Sequence, residues 1–186
     1  YRFLVVRRSE ANQKLLFNLV TSSDGLDQFD QTEFVKILAT EFGDRLQGVL
    51  HTLNDDKGDR VEARSGSSKL IHGKPFITET LHGLDFGIEM SSFFQTNPSC
   101  AERLYAEVIA AVNAPRQGAS ALQNKDDGKY IMDLFCGTGT IAQMLARHTG
   151  RSIIGVDIVG QAIEDARKSA DNNGTQNVEF HAADVG

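Results

Sequence analysis

Between residues 133 and 140 the chain reads Asp-Leu-Phe-Cys-Gly-Thr-Gly-Thr. Gly137 and Gly139 close an apolar run, where backbone must bend sharply and lie against a ligand that a Cβ would obstruct. That is the position of a nucleoside site. Asp157 ends the next apolar run, 24 residues after Asp133, a place from which a carboxylate accepts hydrogen bonds from both hydroxyls of a ribose. Asp184 ends a third run and could accept from an adenine amino group.

The segment Gly137-Thr-Gly139-Thr-Ile-Ala142 also satisfies the G-x-G-x-x-A form of the dinucleotide fingerprint, so the glycines alone leave NAD open. Asp133 separates the two ligands. A dinucleotide brings a pyrophosphate to this turn, and a carboxylate there repels it. The methionine portion of S-adenosylmethionine brings an ammonium and a sulfonium, which a carboxylate attracts. The acidic residue favours the methyl donor, the competing reading being a plain helix or turn cap.

Strands and helices in strict alternation must position these residues. Strand Tyr130 to Phe135, helix Thr140 to His148, strand Ser152 to Asp157, helix Gln161 to Asn172 and strand Val178 to His181 predict a parallel, doubly wound α/β sheet with about three strands present. Residues 130–186 are therefore expected to form the first half of a Rossmann-like domain, and residues 91–129 a connecting segment. In that segment Pro98 starts a helix with Leu104, Val108, Ile109 and Val112 as its buried stripe, and Asn113 to Gly128 form a loop. Residues 1–90 predict a small α+β domain. It comprises a hairpin of Arg2–Arg7 and Leu15–Thr21, and a helix capped by Asp30 and Glu33 with Phe34, Ile37, Leu38 and Phe42 on one face, ended by Gly43. A strand Gln47–Leu53, a turn at 54–58, and a second hairpin of Phe76–Leu81 and Leu84–Met90 complete it.

Composition bounds the function. The 186 residues carry a net charge of -6, which argues against this chain alone gripping a phosphate backbone. No stretch approaches the ~18 consecutive apolar residues of a membrane span, and no export signal opens the chain, so an intracellular setting, cytoplasmic or organellar, is expected without a membrane partner. The two cysteines, Cys100 and Cys136, are too few for a disulfide framework or a zinc site, and the five histidines show no metal-ligand spacing, so no metal is expected. Arg7, Arg8, Arg60, Arg64, Lys69 and Lys74 give the first domain some basic character, diluted by Asp55, Asp56, Asp59 and Glu62. An initial Tyr1 and an end just past a strand suggest a piece of a longer protein.

Two segments carry a family resemblance: Ser92-Phe-Phe-Gln-Thr-Asn-Pro98, and the Asp133–Thr140 turn with Ile154-Gly-Val-Asp157 behind it. Both resemble motifs of the RNA uracil-5-methyltransferases that modify tRNA and ribosomal RNA. The order of domains resembles that family's central and catalytic domains, so the likeness covers nearly the whole chain. It implies S-adenosylmethionine as cofactor and RNA, tRNA or rRNA, as partner of the intact protein. Gln95 resembles the glutamine between cofactor and target base, while Phe135, Thr140, Asp157 and Asp184 match cofactor-contact positions beside Asp133, Gly137 and Gly139. Phe93 is a candidate for packing against an extruded uracil, or else for core packing.

The chemistry the resemblance implies needs two further groups. A cysteine thiolate adds to uracil C6, the enolate takes the methyl group at C5, and a base removes the C5 proton. In the family these lie on later strands, so the nucleophilic Cys and the base Glu are expected beyond Gly186. Cys136 matches a small packing residue of the family's turn and Cys100 has no counterpart as nucleophile. The chain by itself is then expected to be inactive, and half a doubly wound sheet to self-associate through its exposed Rossmann edge. The rival readings are an NAD-dependent oxidoreductase fragment and a non-catalytic RNA-binding module.

Overall fold

A continuous apolar run, Leu15-Leu-Phe, opens a strand that must be buried on both faces, and it lies inside the first sheet of the computed structural model, which describes residues 1–24, 29–56, 58, 67–114 and 130–185. The chain forms two compact units, residues 1–79 with 87–94, and residues 80–86 with 95–186.

In the first unit β1 (Phe3–Arg8) runs antiparallel to β2 (Leu15–Thr21). The helix α1 (Gln31–Phe42) then crosses over to β3 (Leu46–Leu53), which pairs parallel with β2. Asp30 caps α1 by accepting from the amides of Thr32 and Glu33, whereas the Glu33 carboxylate turns to Lys36 at 3.3 Å. A left-handed Gly43 ends the helix, and a single 3-10 turn, Gly43–Arg45, leads into β3. One face of β2 and β3 packs Leu15, Phe17 and Val49 against Phe34, Val35, Leu38 and Phe42. The other packs Leu16 and Leu50 against Ile77 and Ile88. Val35 takes the place expected for Ile37, which is 56% exposed, because the face centred on Leu38 runs through 34, 35 and 42.

β4 (Ser68–Gly73) adds to β3 antiparallel, completing the order β1-β2-β3-β4. The sequence does not announce this strand: Ser68, Lys69 and His72 are exposed on an edge that buries little, so no alternating apolar pattern is required of it. The turn expected at 54–58 is held by Arg2, whose guanidinium donates to the carbonyls of Asn54, Asp56 and Gly58 at 2.6–2.8 Å; Lys57 lies outside the described residues. The turn between β1 and β2 is held by buried Glu79, which accepts from the amides of Glu10 at 2.7 Å and Ala11 at 2.9 Å.

β5 (Phe76–Leu81) and β6 (Leu84–Glu89) form a separate two-stranded hairpin. Its tip, residues 80–86, groups with the second unit. There the His82 amide donates to the Glu102 carboxylate and His82 Nε2 to the Glu102 carbonyl, both at 2.8 Å. The Asn173 side chain receives from the Asp85 amide and returns a bond to the Asp85 carbonyl, each 2.9 Å. It also donates to Gln143 at 3.0 Å.

The second unit continues with α2 (Pro98–Asn113), capped by Asn97. Its inner stripe is Ala101, Tyr105, Val108, Ile109 and Val112. Leu104, expected in that stripe, is 55% exposed, since the i, i+4, i+7, i+8, i+11 row starting at Ala101 passes it by. Of the loop expected from Asn113 to Gly128, residues 115 onward lie outside the described residues. β7 (Tyr130–Leu134), β8 (Ser152–Asp157) and β9 (Val178–Ala182) are parallel in that order. They are joined by α3 (Thr140–Thr149) and α4 (Gly160–Asn173), each ended by a left-handed glycine.

Ile131, Ile153 and Phe180 share the sheet face that packs on Ala142, Leu145 and Ala146 of α3 and on Ile163, Ala166 and Ala170 of α4. The alternate residues of β7 are uncovered: Tyr130 is 53%, Met132 59% and Leu134 48% exposed. A parallel sheet normally has both faces covered. Among the described residues no helix is long and apolar enough to cross a membrane.

Candidate functional site: the turn between β7 and α3

The carboxyl ends of parallel strands collect the functional groups of such sheets, because the chain leaves each strand there to enter a helix. Asp133 lies near the end of β7, Asp157 ends β8, and Asp184 follows β9 by two residues. The Cys136 amide still bonds the Val156 carbonyl at 3.0 Å, and the Gly139 amide turns back onto the Cys136 carbonyl at 2.9 Å. Gly137 (φ +54) and Gly139 (φ +75) supply the left-handed bends.

The two glycines do different work. A Cβ on Gly139 would stand 2.5 Å from the Phe180 ring and 3.0 Å from the Ala166 Cβ, so this glycine lets α3 close onto the sheet. A Cβ on Gly137 would meet nothing within 4 Å. The ligand-side role expected of both glycines is thus open to Gly137, while the missing Cβ of Gly139 serves helix-to-sheet packing.

Asp157 braces the turn. One carboxylate oxygen accepts from the Gly137 amide at 2.8 Å and the other from the Val159 amide at 2.9 Å. Each oxygen keeps a further lone pair for a ribose hydroxyl. Asp133 accepts from the Ala142 amide in the first turn of α3, so it does cap the helix. Its other oxygen, Oδ2, is buried and has no hydrogen-bond partner among the described residues. Burial, and then the charge of Asp157, push the Asp133 carboxyl up to about 6, with the Ala142 amide opposing them.

The same two carboxylates act on their neighbours. Burial, followed by the charges of Asp133 and Asp157, pushes the Cys136 thiol up to about 12. Burial and the Asp133 charge also raise Tyr105 on α2. Tyr105 therefore stands near the site, and nothing in its spacing marks it as more than a core residue. Ile158 and Val159, 68% and 53% exposed beside Asp157, are apolar surface suited to the face of a base. A signal for them exists in the sequence: two large aliphatic residues follow the strand end where a turn would ordinarily be polar.

Two further candidates flank the turn itself. Thr140 is the first residue of α3. Phe135 is left-handed at φ +63 and 73% exposed. Gln95 is exposed in the stretch before α2. Phe93 belongs to the first unit and is 82% exposed, while its neighbour Phe94 packs on the Leu16, Leu50, Ile77 and Ile88 cluster. Among the described residues no group of His, Cys and acidic side chains could hold a metal ion. A cavity of about 560 Å³ lies between α4 and β9, lined by Arg167, Asp171, Thr175, Glu179 and His181 among others. It includes none of Asp133, Gly137 or Asp157, and its mixed charges converge on no single ligand chemistry.

The site's electrostatics bear on the choice of cofactor. A phosphate at a helix N-terminus needs free amides and no competing anion. Here a carboxylate already holds the Ala142 amide and offers a second, unpartnered oxygen. That oxygen suits a cationic ligand.

Comparison with known proteins agrees with this architecture. A family model described as a methyltransferase domain matches residues 125–186. An uncharacterized RNA methyltransferase of Caldanaerobacter subterraneus subsp. tengcongensis is 38% identical over 99% of this chain and 38% of its own length. One of Clostridium tetani is 36% identical over 99% of this chain and 37% of its own. The crystal structure of Pyrococcus abyssi tRNA (uracil-54, C5)-methyltransferase in complex with S-adenosyl-L-homocysteine is similar with a TM-score of 0.70 at 26% identity. It covers 97% of this chain and 38% of that one. The second unit has the Rossmann-like fold of the S-adenosylmethionine-dependent methyltransferases. The chain is thus similar along nearly all its residues to proteins of which it spans a little over a third.

Proposed function

We propose that this chain carries the cofactor site of an S-adenosylmethionine-dependent RNA methyltransferase that forms 5-methyluridine in tRNA or rRNA. The observation that carries the reading is the buried, unpartnered Oδ2 of Asp133. It answers the ammonium of the methionine portion, whereas a dinucleotide would set a pyrophosphate against it. When bound, S-adenosylmethionine supplies an electrophilic methyl group. Asp157 holds the ribose hydroxyls, Asp184 the adenine amino group, and Ile158 an apolar surface for the base. Phe135 and Thr140 complete the contacts, and Gln95 lies between cofactor and target.

The uracil-C5 chemistry draws support from the Phe93-Phe94-Gln95 segment and from the likeness to the Pyrococcus abyssi tRNA (uracil-54, C5)-methyltransferase. Phe93, exposed as it is, offers a face to an extruded base. Attack on uracil C6 needs a thiolate, and Cys136, with its thiol pushed up to about 12, does not supply one at neutral pH. Nucleophile and base come from later parts of the intact enzyme, and this chain alone transfers no methyl group.

Calorimetric titration tests the cofactor assignment: S-adenosylhomocysteine and S-adenosylmethionine bind and NADH does not. Preference for NADH sinks it. With unmodified tRNA and rRNA transcripts, the longer protein containing this segment yields 5-methyluridine in nucleoside digests, and the 186-residue chain yields none; methylation of another base, or turnover by the short chain, overturns that part.

Self-association belongs to the same reading. The uncovered Tyr130, Met132 and Leu134 face brings copies of this chain together, and Met132→Lys weakens the contact. Sedimentation should show concentration-dependent association for the parent and less for the variant; a parent that stays monomeric at high concentration refutes it.

A further inference from the structure

Three described non-glycine residues have left-handed backbone: Gln13, His82 and Phe135. For two of them local structure accounts for it. Gln13 lies in the turn between β1 and β2, where its amide bonds the Ser9 carbonyl at 3.1 Å. His82 shares a two-residue hairpin turn with Gly83, both at positive φ. Phe135 is different. Strand alternation puts residue 135 on the same sheet face as Ile131 and Asp133, the face that α3 covers. With φ at +63 the backbone leaves the strand conformation, and the ring is 73% exposed instead of buried. A β-carbon in this region is strained, and glycine would fit without cost. An aromatic ring is kept out of the core at a position that disfavours it, two residues from a carboxylate with an unpartnered buried oxygen. Strain retained beside such a group is a mark of function rather than of folding.

We propose that Phe135 is a specificity-determining residue that favours the positively charged methyl donor over its neutral product, through the attraction of an aromatic face for a sulfonium. The inference rests on the cofactor assignment above. Donor and product share adenosine and the amino-acid portion and differ by the methyl group and the charge on sulfur. Asp133 meets the ammonium, which both possess, and adds only its longer-range attraction for the sulfonium to the difference between them. An aromatic face discriminates directly, because its quadrupole attracts a cation and gains little from a neutral thioether.

The test is the ratio of affinities for S-adenosylmethionine and S-adenosylhomocysteine, measured by calorimetry on the 186-residue chain and repeated on the longer protein. Phe135→Leu keeps an apolar side chain and removes the π face. It should lower the donor-to-product affinity ratio about five- to tenfold, with product affinity changing much less. A pentafluorophenylalanine at 135 keeps the ring's shape and reverses its quadrupole, so it should lower the ratio without altering the fold even if the leucine variant is unstable. Phe135→Tyr should retain the parent ratio. Equal losses for both ligands, or an unmoved ratio in the leucine and fluorinated variants, overturn the inference. Failure of the parent to bind either ligand would instead refute the cofactor assignment.

Discussion

Asp133→Asn should make the ligand-free protein more stable at pH 7 and nearly abolish its affinity for S-adenosylmethionine. Burial holds the Asp133 carboxyl at about 6, well above the 3.8 of an ordinary aspartate. A carboxyl raised on folding contributes stability that is fully present below about pH 4 and is lost as pH climbs through about 6. Above that, the folded state holds a charge it would rather not hold. A shift of about two units corresponds to roughly 3 kcal/mol, and the partial solvent access of the group reduces this to about 1–2 kcal/mol. Asparagine removes the charge and still accepts from the Ala142 amide.

Thermal melts from pH 4 to 8 should show the parent losing stability between about pH 4 and 6 and levelling off above about 7, the variant losing less, and the two differing most on that plateau. Binding runs the other way. An ammonium requires the ionised carboxylate, so donor affinity of the parent should rise with pH through about 6, whereas the variant should show weak, flat binding. A variant less stable than the parent at pH 8, or one that binds the donor as tightly, would remove Asp133 from the role assigned to it.

Gly139→Ala should destabilise the second unit by about 3–5 kcal/mol, combining left-handed strain with overpacking. The new Cβ would press on Phe180 at 2.5 Å and on Ala166 at 3.0 Å. The large ring fills the space between Gly139 and Gly155, where an added Cβ would stand 2.6 Å from it. Phe180→Leu leaves a cavity of its own but relieves the clash, so the double variant should be more stable than the sum of the two single losses predicts. Gly137→Ala is the counterpart. Its Cβ meets nothing within 4 Å, so it should lose only about 1 kcal/mol of stability yet weaken the cofactor by intruding on its side of the turn. Denaturant unfolding and titration of the same preparations separate the two effects. Equal stability losses at 137 and 139 would contradict the division of labour between the glycines.

The second unit is legible in its sequence because each element has a strong period and a clear stop. Asp157 closes β8, Asp133 stands one residue before the end of β7 and Asp184 two residues after β9, and Gly150 and Gly174 terminate α3 and α4. The acidic strand ends are legible for the same reason: a carboxylate closing an apolar run stands out. What the local pattern does not reveal arises from packing between distant parts. β4 is hidden because an exposed edge strand needs no apolar alternation. Ile37 and Leu104 are misplaced because neighbouring apolar residues on a helix compete for one inward face, and the partner surface decides between them. The conformation of Phe135 and the contact of Gly139 with Phe180 depend on three-dimensional closeness that spacing alone does not encode. Tyr105 acquires its relation to Asp133 in the same way.

The docking of the β5–β6 tip bears on how the chain can be divided. A cut at residue 90, or between Phe94 and Gln95, looks natural along the sequence, yet it would carry Asp85 and His82 away with the first piece. The Asn173 side chain would lose both its bonds to the Asp85 backbone, and Glu102 its two to His82. Gln143, with a buried amide nitrogen that already lacks a partner among the described residues, would lose the cover supplied by its neighbour Asn173. The second unit is thus not a contiguous stretch, and a recombinant boundary that respects it lies before residue 80.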